Sequence, residues 1–533
     1  MAENKYTYPN IPKEKFTLVN IGEHLTDKKF DDKPISYFRD AFNRFCKSRA
    51  SVVAAIIIIA IILYAFICPW VSAMDHTFMD SYYAKKGPRN TWLRDNLGIV
   101  TGGVSRDFSD KGLLKALAVG VAAEDTEGTG DVTLAEGFQS KYQPILDSGT
   151  AITTLNAKKQ ETRSYTGGEI DTYLEVGFIY KSVKQDEYKK IVVWQEETGI
   201  QVLYPLVADN EWNPDAANAN NWYKMNKKSE PVTLSNTGKG KVIELPEDLT
   251  TADIVLEDNY ERDEDGNVRY YKNTGGGTFE TSQYKIRVLY YTYYQYQNGF
   301  EPNYILGTDS QGYDMAQRVA GGIKLSLLIA VCTCLINFII GAMYGSVEGY
   351  YGGWIDIVLE RVSDILNNVP FIVVATLFQI HLAAKVGPLP SLIFAYVVTG
   401  WIGTAYRVRT QFYRFKNQEY VMAARTLGAR DRRIIWKHIF PNTLGTIITS
   451  TALAIPSAVL TESNLSFLGI VKLGTAESTS LGTLLSDAQG IWTNAPHLMI
   501  VPAIFISLLM ISFNLFGNGL RDAFNPSLRG VEE

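Results

Sequence analysis

The sequence lacks the residue patterns on which most enzymes and metal proteins depend. Its five histidines and four cysteines are scattered along the chain, and no HExxH motif or Cys/His cluster has the spacing of metal ligands. There is no GxxxxGK[ST] loop that could cradle nucleotide phosphates, and no convincing catalytic constellation. These absences predict a chain that is not an enzyme and has neither catalytic residues nor a metal or cofactor site. If the protein uses ATP, another chain must bind it.

Charge is scarce over several long stretches and crowded elsewhere. The chain has 533 residues, of which 46% are hydrophobic and 20% are charged. Residues 75–310 hold 25 Lys and Arg against 36 Asp and Glu, a net charge of −11, whereas the remaining residues carry +6. This division excludes reading the whole chain as a nucleic-acid binder and predicts parts on different sides of a bilayer. The acidic block contains no cysteine, so no disulfide framework is available to it.

Six apolar runs are long enough to cross a bilayer as helices, which takes about 20 residues each. They are residues 52–71, 325–347, 365–384, 386–406, 439–461 and 498–516. About 50 mostly polar residues precede the first run, so it is expected to remain as an anchor and not to be cleaved as a signal peptide. The sequence therefore predicts a polytopic α-helical membrane protein with six transmembrane helices.

The distribution of Lys and Arg predicts the orientation. These residues cluster in 39–49 and in 407–437, and such clusters favour the cytoplasm. Six spans then leave both termini cytoplasmic and the acidic block extracytoplasmic. The predicted division is a cytoplasmic segment 1–49, a first transmembrane helix 50–74, an extracytoplasmic inserted domain 75–305, a five-helix core 306–520 and a cytoplasmic tail 521–533.

The acidic block has the composition of a β-rich domain. Runs rich in aromatic and β-branched residues at 173–180, 190–207 and 284–297 are separated by turn-forming residues. The acidic run 257–267 lacks the ligand spacing of a calcium loop and favours a solvated loop. We expect an inserted extracytoplasmic α+β domain of mixed, β-rich structure.

The most informative segment, 419–442, lies between the fourth and fifth predicted spans. Its residues predict two short helices with a break: Gly428 suits a left-handed C-terminal cap, Asp431 favours the start of the next helix, and Pro441 marks the approach to the fifth span. Ala423 and Ala424 leave a narrow helix face that another subunit could approach. The residues alone leave two interpretations open, a docking element or a loop whose arginines only set topology.

This segment resembles the EAA signature of ABC-importer permeases, in which two short coupling helices, here 417–438, insert into a groove of the ATP-binding subunit. Met422 replaces the glutamate of that signature, and Glu419 and Arg425 remain as charged candidates for coupling. The positions that match the signature are Ala423, Ala424, Gly428 and Pro441.

Further pieces narrow the resemblance to the C-type permease subunit of oligopeptide and dipeptide ABC importers. They are LGTDSQGYDM at 306–315, GYYGGWIDIVLERVSDIL at 349–366, ESNLSFLG at 462–469 and SFNLFGNGLRDAFNPSLR at 512–529. The resemblance covers 36–74 and 302–529, about half of the chain, and leaves the acidic block as an insertion between the first two spans.

The resemblance implies the ABC-importer permease fold in a bacterial plasma membrane, and a division of labour among several chains. This chain and a homologous second permease would form the pathway, two ABC ATPase subunits would bind ATP and Mg, and an extracytoplasmic substrate-binding (lipo)protein would deliver peptide. No cofactor is expected in this chain. An importer of nickel or another small solute is the alternative within the same architecture, and a membrane receptor with a ligand-sensing outer domain is the alternative outside it.

Two carboxylates at predicted membrane depth are candidates for the pathway or its gating. Asp364 follows Arg361 by three residues, a spacing that favours a same-helix pair over a gate. Glu462, near the outer end of the fifth predicted span, would either line the cavity or sit at a capped helix end facing water. Asp309 and Asp314 precede the second span, and one or the other is expected to cap a short helix at the entry to it.

Overall fold

The computed structural model describes residues 37–72, 74, 77–155, 161–233, 241–275, 283–474 and 479–524. Most of the predicted cytoplasmic segment 1–49, and the predicted tail 521–533 beyond residue 524, lie outside the described residues. The described chain forms a helical bundle, built from residues before 73 and after 313, and a β-rich region at 77–304.

The α-helices of the described residues are, in chain order, α1 (Tyr37–Lys47), α2 (Arg49–Val71), α3 (Thr91–Leu97), α4 (Asp110–Glu124), α5 (Leu134–Phe138), α6 (Gln185–Thr198), α7 (Tyr290–Asn298), α8 (Met315–Tyr351), α9 (Gly353–Asn367), α10 (Phe371–His381), α11 (Ala383–Val386), α12 (Pro388–Thr399), α13 (Ile402–Phe415), α14 (Glu419–Thr426), α15 (Asp431–Arg433), α16 (Phe440–Ala452), α17 (Ala454–Phe467), α18 (Leu481–Ala488) and α19 (His497–Phe524). The strands are β1 (Gly103–Ser109), β2 (Ile145–Asp147), β3 (Thr150–Leu155), β4 (Glu161–Asp171), β5 (Phe178–Lys184), β6 (Leu203–Tyr204), β7 (Val232–Thr233), β8 (Lys241–Val242), β9 (Tyr271–Asn273) and β10 (Gln283–Leu289).

Five helical stretches of the described residues are long and apolar enough to cross a membrane. They are Arg49–Val71, Met315–Tyr351, Pro388–Phe415, Asp431–Phe467 and His497–Phe524. Each contains all or nearly all of one of the predicted spans. The remaining predicted span, 365–384, is not one continuous helix, because α9 ends at Asn367 and the apolar α10 that follows has only 11 residues. Pro370 lies at this break, where it lacks a backbone N–H and disfavours helical geometry in the residue before it, so it interrupts the helix.

Helices α8 and α13 pack closely and run in the same direction. A Cβ added to Gly341 would lie 2.7 Å from the Cβ of Thr404, and one added to Gly349 would lie 2.6 Å from the Cβ of Phe412. Small residues at every fourth position let membrane helices approach in this way. Because the contacts advance together along both helices, the chain between them, 352–387, must return along the bundle through α9 and α10.

Helices α2 and α19 are antiparallel to each other and complete the other side of the bundle. Tyr64 of α2 donates its hydroxyl hydrogen to the carbonyl of Ala316 at the start of α8, at 2.8 Å. At the opposite end, the rings of Phe45 and Phe516 lie 5.3 Å apart, and α1 packs on the last turns of α19. The described N-terminal helix and the C-terminal end of α19 therefore lie at the end of the bundle where α8 finishes.

The β-rich region contains two antiparallel sheets and several helices. One sheet has the order β1-β4-β2, with β3 also paired to β4, and the other has the order β5-β10-β6, with β9 also paired to β10. Strands β7 and β8 form a separate ribbon. Helix α4 packs most of its residues into the core of this region. The predicted mixture of helices and strands is therefore present.

The runs predicted as strands are extended over only part of their length. Run 173–180 begins with a 3₁₀ turn before β5, the first half of run 190–207 falls in α6, and run 284–297 divides between β10 and α7. Helices α6 and α7 each end at a left-handed glycine, Gly199 with φ 69° and Gly299 with φ 79°. Aromatic and β-branched residues favour strands only where sheet neighbours bury them, and here tertiary packing buries the tyrosines on a helix.

A neck formed by residues 77–90 and 301–314 joins the β-rich region to the bundle. The backbone N–H of Arg89 donates to the carbonyl of Tyr304 at 2.8 Å, which holds the two segments side by side. The ring of His497 at the start of α19 lies 3.2 Å from a carbonyl oxygen of the neck. The β-rich region and α1 therefore lie at opposite ends of the bundle.

The two aspartates of the neck have different roles. Asp314 caps α8 by accepting a hydrogen bond from the N–H of Ala316 at 2.9 Å, as predicted. Asp309 instead closes a turn, since its carboxylate accepts from the three N–H groups of residues 311–313 and lies 3.0 Å from Arg318. Asp309 thus fixes the approach to α8 without capping a helix.

Candidate functional site

The segment between α13 and α16, residues 416–439, forms an elbow at the end of the bundle opposite the β-rich region. Its first half is α14, with Glu419 in the first turn and Arg425 in the last, the arrangement that the helix dipole favours. The helix stops before Gly428, whose φ of 80° is left-handed. The predicted break at Gly428 is confirmed.

The second half of the elbow differs from the prediction. In place of a separate short helix, the three residues of α15 lead into a π-helical turn, Ile434–Ile439, and then directly into α16. Pro441 lies in the first turn of α16, immediately after the π-helical turn. Only α14 is therefore a free-standing helix, and the predicted second coupling helix is the beginning of a membrane-length helix.

Helix α14 touches the bundle through one fully buried side chain. Val421 has no exposed surface, whereas the neighbouring Met422 is 52% exposed and Leu427, just beyond the helix, is 88% exposed. Ala423 is exposed and Ala424 half-buried. The side chains around Val421 include Phe412, Ile434, Ile435 and Ile439. The elbow thus presents most of its surface outward, including the narrow alanine face.

Polar contacts tie the elbow to the last turn of α8. Tyr350 donates its hydroxyl hydrogen to Asp431 at 2.6 Å, and the guanidinium of Arg425 lies 5.8 Å from the centre of the Tyr350 ring. The ammonium of Lys416 donates to the carbonyl of Gly349 at 2.9 Å. Both halves of the elbow therefore hold the same end of α8.

Next to the elbow, an arginine network joins three helices. Arg409 of α13 makes a bidentate pair with Asp356 of α9, at 2.6 and 2.8 Å, and reaches both oxygens of Glu360 at 3.0 and 3.1 Å. Glu348 of α8 lies 3.5 Å from the same guanidinium. Tyr413 donates to Asp356 at 2.5 Å. Fork-shaped guanidinium contacts of this kind fix geometry as well as charge, so α8, α9 and α13 are held in one arrangement.

Sequence reasoning missed this network, although part of its signal was present. Asp356 and Glu360 are one turn apart, and Arg409 follows an apolar run by only a few residues, where an ionisable group is expensive without a partner. The partner could not be identified, because it depends on the parallel packing of α8 and α13 and on the return of α9 between them.

The two carboxylates singled out from the sequence occupy different surroundings. Asp364 pairs with Arg361 at 3.0 Å, as predicted, and both side chains are exposed. Glu462 is fully buried inside α17, where its carboxylate accepts hydrogen bonds from Ser326 at 2.8 Å and Ser466 at 2.9 Å. The suggestion that Glu462 sits at a helix end facing water is therefore wrong, since packing of α17 against α8 encloses it.

Asp364 lines a cleft of about 470 Å³ beside the arginine network. The other polar residues of the cleft are Glu348, Glu360, Ser363, Asn367, Tyr406, Arg407 and Arg409. Among the described residues, no group of three or more His, Cys, Asp or Glu side chains could hold a metal ion.

Two families match parts of the sequence. Residues 337–530 match the family described as binding-protein-dependent transport system inner membrane component, and residues 36–88 match the N-terminal TM domain of oligopeptide transport permease C. The two matches include the first transmembrane helix and the elbow. Most of the β-rich region lies between them.

The curated proteins to which the chain is similar are named as transport permeases. The chain is 41% identical over 229 residues to the dipeptide transport system permease protein DppC of Bacillus subtilis, covering 42% of this chain and 68% of the relative. It is 41% identical over 224 residues to the oligopeptide transport system permease protein OppC of the same organism, covering 42% of this chain and 72% of the relative. The oligopeptide permease OppC of Haemophilus influenzae is 41% identical over 231 residues, covering 43% and 72%.

Among solved structures, the chain has a distant similarity to the inward-facing MetNI methionine ABC transporter. The identity is 18% and the TM-score 0.34, over 40% of this chain and 98% of that chain. A similarity at this level carries no weight beside the sequence relatives.

Proposed function

The chain belongs to the family of binding-protein-dependent transport system inner membrane components, and we propose that it is the permease subunit of an ATP-driven importer of oligopeptides or dipeptides. It is a multi-pass membrane protein and a transport component, not an enzyme. The peptide substrate is supported by the names of its relatives, which are dipeptide and oligopeptide permeases.

The observation that carries the proposal is the construction of the elbow. Helix α14 projects from the bundle on one buried side chain, Val421, while Asp431 and Lys416 hold the end of α8. Arg425 of α14 also lies 5.8 Å from the centre of the Tyr350 ring of α8, so a partner that moved α14 would act on the same end of α8. We assign the outward surface of the elbow, including Glu419, Ala423 and Ala424, to docking with an ATPase subunit.

The arginine network then acts as the rigid connection that passes the motion of α8 to the neighbouring helices. Arg409 bridges carboxylates of α9 and lies beside Glu348 of α8, so a displacement of α8 carries α9 and α13 with it. Two separate ATPase subunits would bind ATP and Mg and bias the inward-facing and outward-facing states through their different affinities for the elbow in each. This chain binds no nucleotide in that scheme and only transmits the motion.

Six crossings fit the geometry better than five. Because α8 and α13 are parallel, the chain at 352–387 has to return between them, and α9 with α10 provides a crossing broken at Pro370. An even number of crossings puts both termini on one side, and the Lys and Arg of 407–437 favour the cytoplasm for that side. The β-rich region then faces outward.

We assign the β-rich region to docking of an extracytoplasmic substrate-binding protein, and the second half of the pathway to a homologous permease. The neck suggests a clean deletion: residues 91–300 can be replaced by a short glycine-serine linker, since Arg89 and Tyr304 are already paired and the ends are adjacent. The variant is expected to insert but to bind the substrate-binding protein at least tenfold more weakly. Unchanged affinity would reject this role for the region.

Asp364 and Glu462 remain proposals as pathway or gating residues. Asp364 borders the cleft beside the arginine network, where a peptide leaving the pathway would meet it. Glu462 is enclosed by serines in this conformation and would act only if α17 and α8 separated during transport.

Transport by the reconstituted complex tests the proposal. The chain, its partner permease, the ATPases and the binding protein are placed in proteoliposomes, and ATP-dependent uptake of labelled di- to pentapeptides is measured beside uptake of Ni²⁺. Peptide uptake is expected. Uptake of Ni²⁺ alone would show that the substrate is a small ion and not a peptide, while the ATP-driven architecture would stand. Uptake by the chain without ATPases would reject the proposal that transport is coupled to ATP hydrolysis.

Gly428 provides a variant specific to the elbow. Its left-handed φ of 80° costs a β-branched residue about 1–2 kcal/mol, while asparagine adopts that conformation more readily. Gly428→Val is therefore expected to insert normally but to lose substrate-stimulated ATPase activity, and Gly428→Asn to keep most of it. No neighbouring atom lies within 4 Å of a Cβ at this position, so a steric effect on the bundle is not expected. Normal coupling in Gly428→Val would count against the role of the elbow.

A further inference from the structure

The second half of the elbow carries a basic pocket that the coupling role does not use. It has a volume of about 480 Å³ and is lined by Arg430, Arg432, Arg433 and Trp436. The spacing of Arg432 and Arg433 from Trp436, four and three residues, places these side chains on one face of the helical turn. The lining contains no carboxylate, so the pocket is suited to an anion.

The guanidinium groups that line this pocket can bind an external anion. Within the part of the chain that the structure describes, none of the three arginines takes part in an ion pair, whereas nearby Arg409 is occupied by Asp356 and Glu360. The acidic residue between them, Asp431, is held by the hydroxyl of Tyr350. Guanidinium groups pair with phosphate in a forked geometry, and three of them in one pocket favour a phosphate group over a single carboxylate.

The pocket lies where the lipid-facing surface of the bundle ends. The bond from Tyr350 to Asp431 sets it level with the last turn of α8, just past the exposed apolar side chains of Met343 and Val347. Trp436 is 41% exposed and lies farther along the helix, toward the membrane. Tryptophan concentrates at this depth in membranes because its ring is apolar and its N–H is polar.

The pocket is also separate from the free-standing half of the elbow. The outward surface of α14 and the exposed Leu427 precede Gly428, and the arginines follow it. The ring of Trp436 packs edge-on against Phe440 at 4.9 Å, so the pocket continues into the membrane-length helix and not into α14. An ATPase docked on α14 would leave this face to the bilayer.

From these observations we propose that the pocket binds the headgroup phosphate of an anionic phospholipid in the cytosolic leaflet. The three guanidinium groups hold the phosphate, and Trp436 packs beside the glycerol and upper acyl chains. A bound lipid would hold the second half of the elbow at the membrane surface. The inference rests on the proposed function for the cytosolic position of the elbow.

The test uses the assembled complex in nanodiscs of phosphatidylcholine, with or without phosphatidylglycerol. Bound lipids are counted by native mass spectrometry, and the rise in Tm caused by phosphatidylglycerol is measured for each variant against its own value in phosphatidylcholine. The double variant Arg432→Gln, Arg433→Gln is compared with Arg414→Gln, which removes an exposed arginine from α13 outside the pocket. At roughly 1 kcal/mol per arginine and 1.4 kcal/mol per tenfold change, the double variant should bind phosphatidylglycerol about 30-fold more weakly.

The outcomes separate the possible sources of the anion and the possible partners. Inorganic phosphate added to phosphatidylcholine nanodiscs is expected to give no rise in Tm, and a rise equal to that of phosphatidylglycerol would overturn the lipid assignment. Equal retention of phosphatidylglycerol by the double variant and the parent would also overturn it. Loss of the ATPase subunits from the double variant in phosphatidylcholine alone would assign the pocket to the ATPase interface instead. Peptide uptake by the parent complex judges the proposed function independently of all these results.

Discussion

Helix α14 rests on the bundle through Val421, so shortening that one side chain tests whether docking of the helix carries the coupling. Val421→Ala removes two buried methyl groups at about 0.8 kcal/mol each and leaves a small cavity, a loss of about 2 kcal/mol. Alanine returns about 0.5 kcal/mol through its higher helix propensity. The net loss of about 1.5 kcal/mol raises the undocked fraction of α14 about tenfold.

Hydrogen exchange measures this fraction directly. The amides of 419–427 are expected to exchange about tenfold faster in Val421→Ala, with the amides of α8 and α13 unchanged, and substrate-stimulated ATPase activity should fall while basal activity remains. Met422→Ala is the matched control, because this neighbouring side chain is 52% exposed and its removal should cost less than about 0.5 kcal/mol. The reasoning is refuted if both variants exchange alike, or if α14 undocks without loss of coupling.

The bundle offers further tests. Arg409→Gln leaves the nearly buried Asp356 without its cation and should lower the stability of the complex by about 3–5 kcal/mol, measured by thermal unfolding, while Arg409→Lys keeps the charge and recovers part of the loss. Stability of Arg409→Lys equal to that of the parent would show that the forked contact contributes nothing beyond its charge. Gly345→Val pushes a side chain against the backbone of Ala405 and should prevent assembly or lower Tm by several degrees. Gly321→Ala is the control, because the added methyl group meets no atom within 4 Å and should be tolerated. If both variants were tolerated, the close packing of α8 and α13 would be contradicted.

The two parts that would transmit motion from an ATPase to the bundle, the elbow and the arginine network, differ in how firmly they are held. The α14 half of the elbow has one fully buried side chain, Val421, while the arginine network beyond the elbow has several charge-assisted contacts around Arg409. The single buried contact of Val421 lets α14 adjust its position against an ATPase surface. The charged contacts of Arg409 meanwhile keep α8, α9 and α13 in one arrangement relative to each other. The break at Pro370 separates α10 from α9, so a displacement of α9 need not be copied rigidly by the apolar helix that follows.

Several features could be predicted from the sequence because they depend on local properties of the chain. Apolar runs must avoid water along their whole length, and five of the six predicted spans are membrane-length helices. A glycine between two helix-forming segments predicts a left-handed break, which Gly428 makes. The pair of Arg361 and Asp364 follows from helical spacing alone. Motifs in the same segments were sufficient to identify the family.

Other features were decided by the tertiary structure, since they depend on residues that are distant in the sequence. The tyrosines of α7 have strand propensity, yet their burial among neighbouring elements makes them helical. The arginine network exists only because α8 and α13 run parallel and α9 returns beside them, and Glu462 is enclosed only because α17 packs on α8. Local composition determines which segments are buried in the membrane. The partner of a buried charge is determined by how the helices pack, because an unpaired ionisable group inside the bundle costs too much free energy.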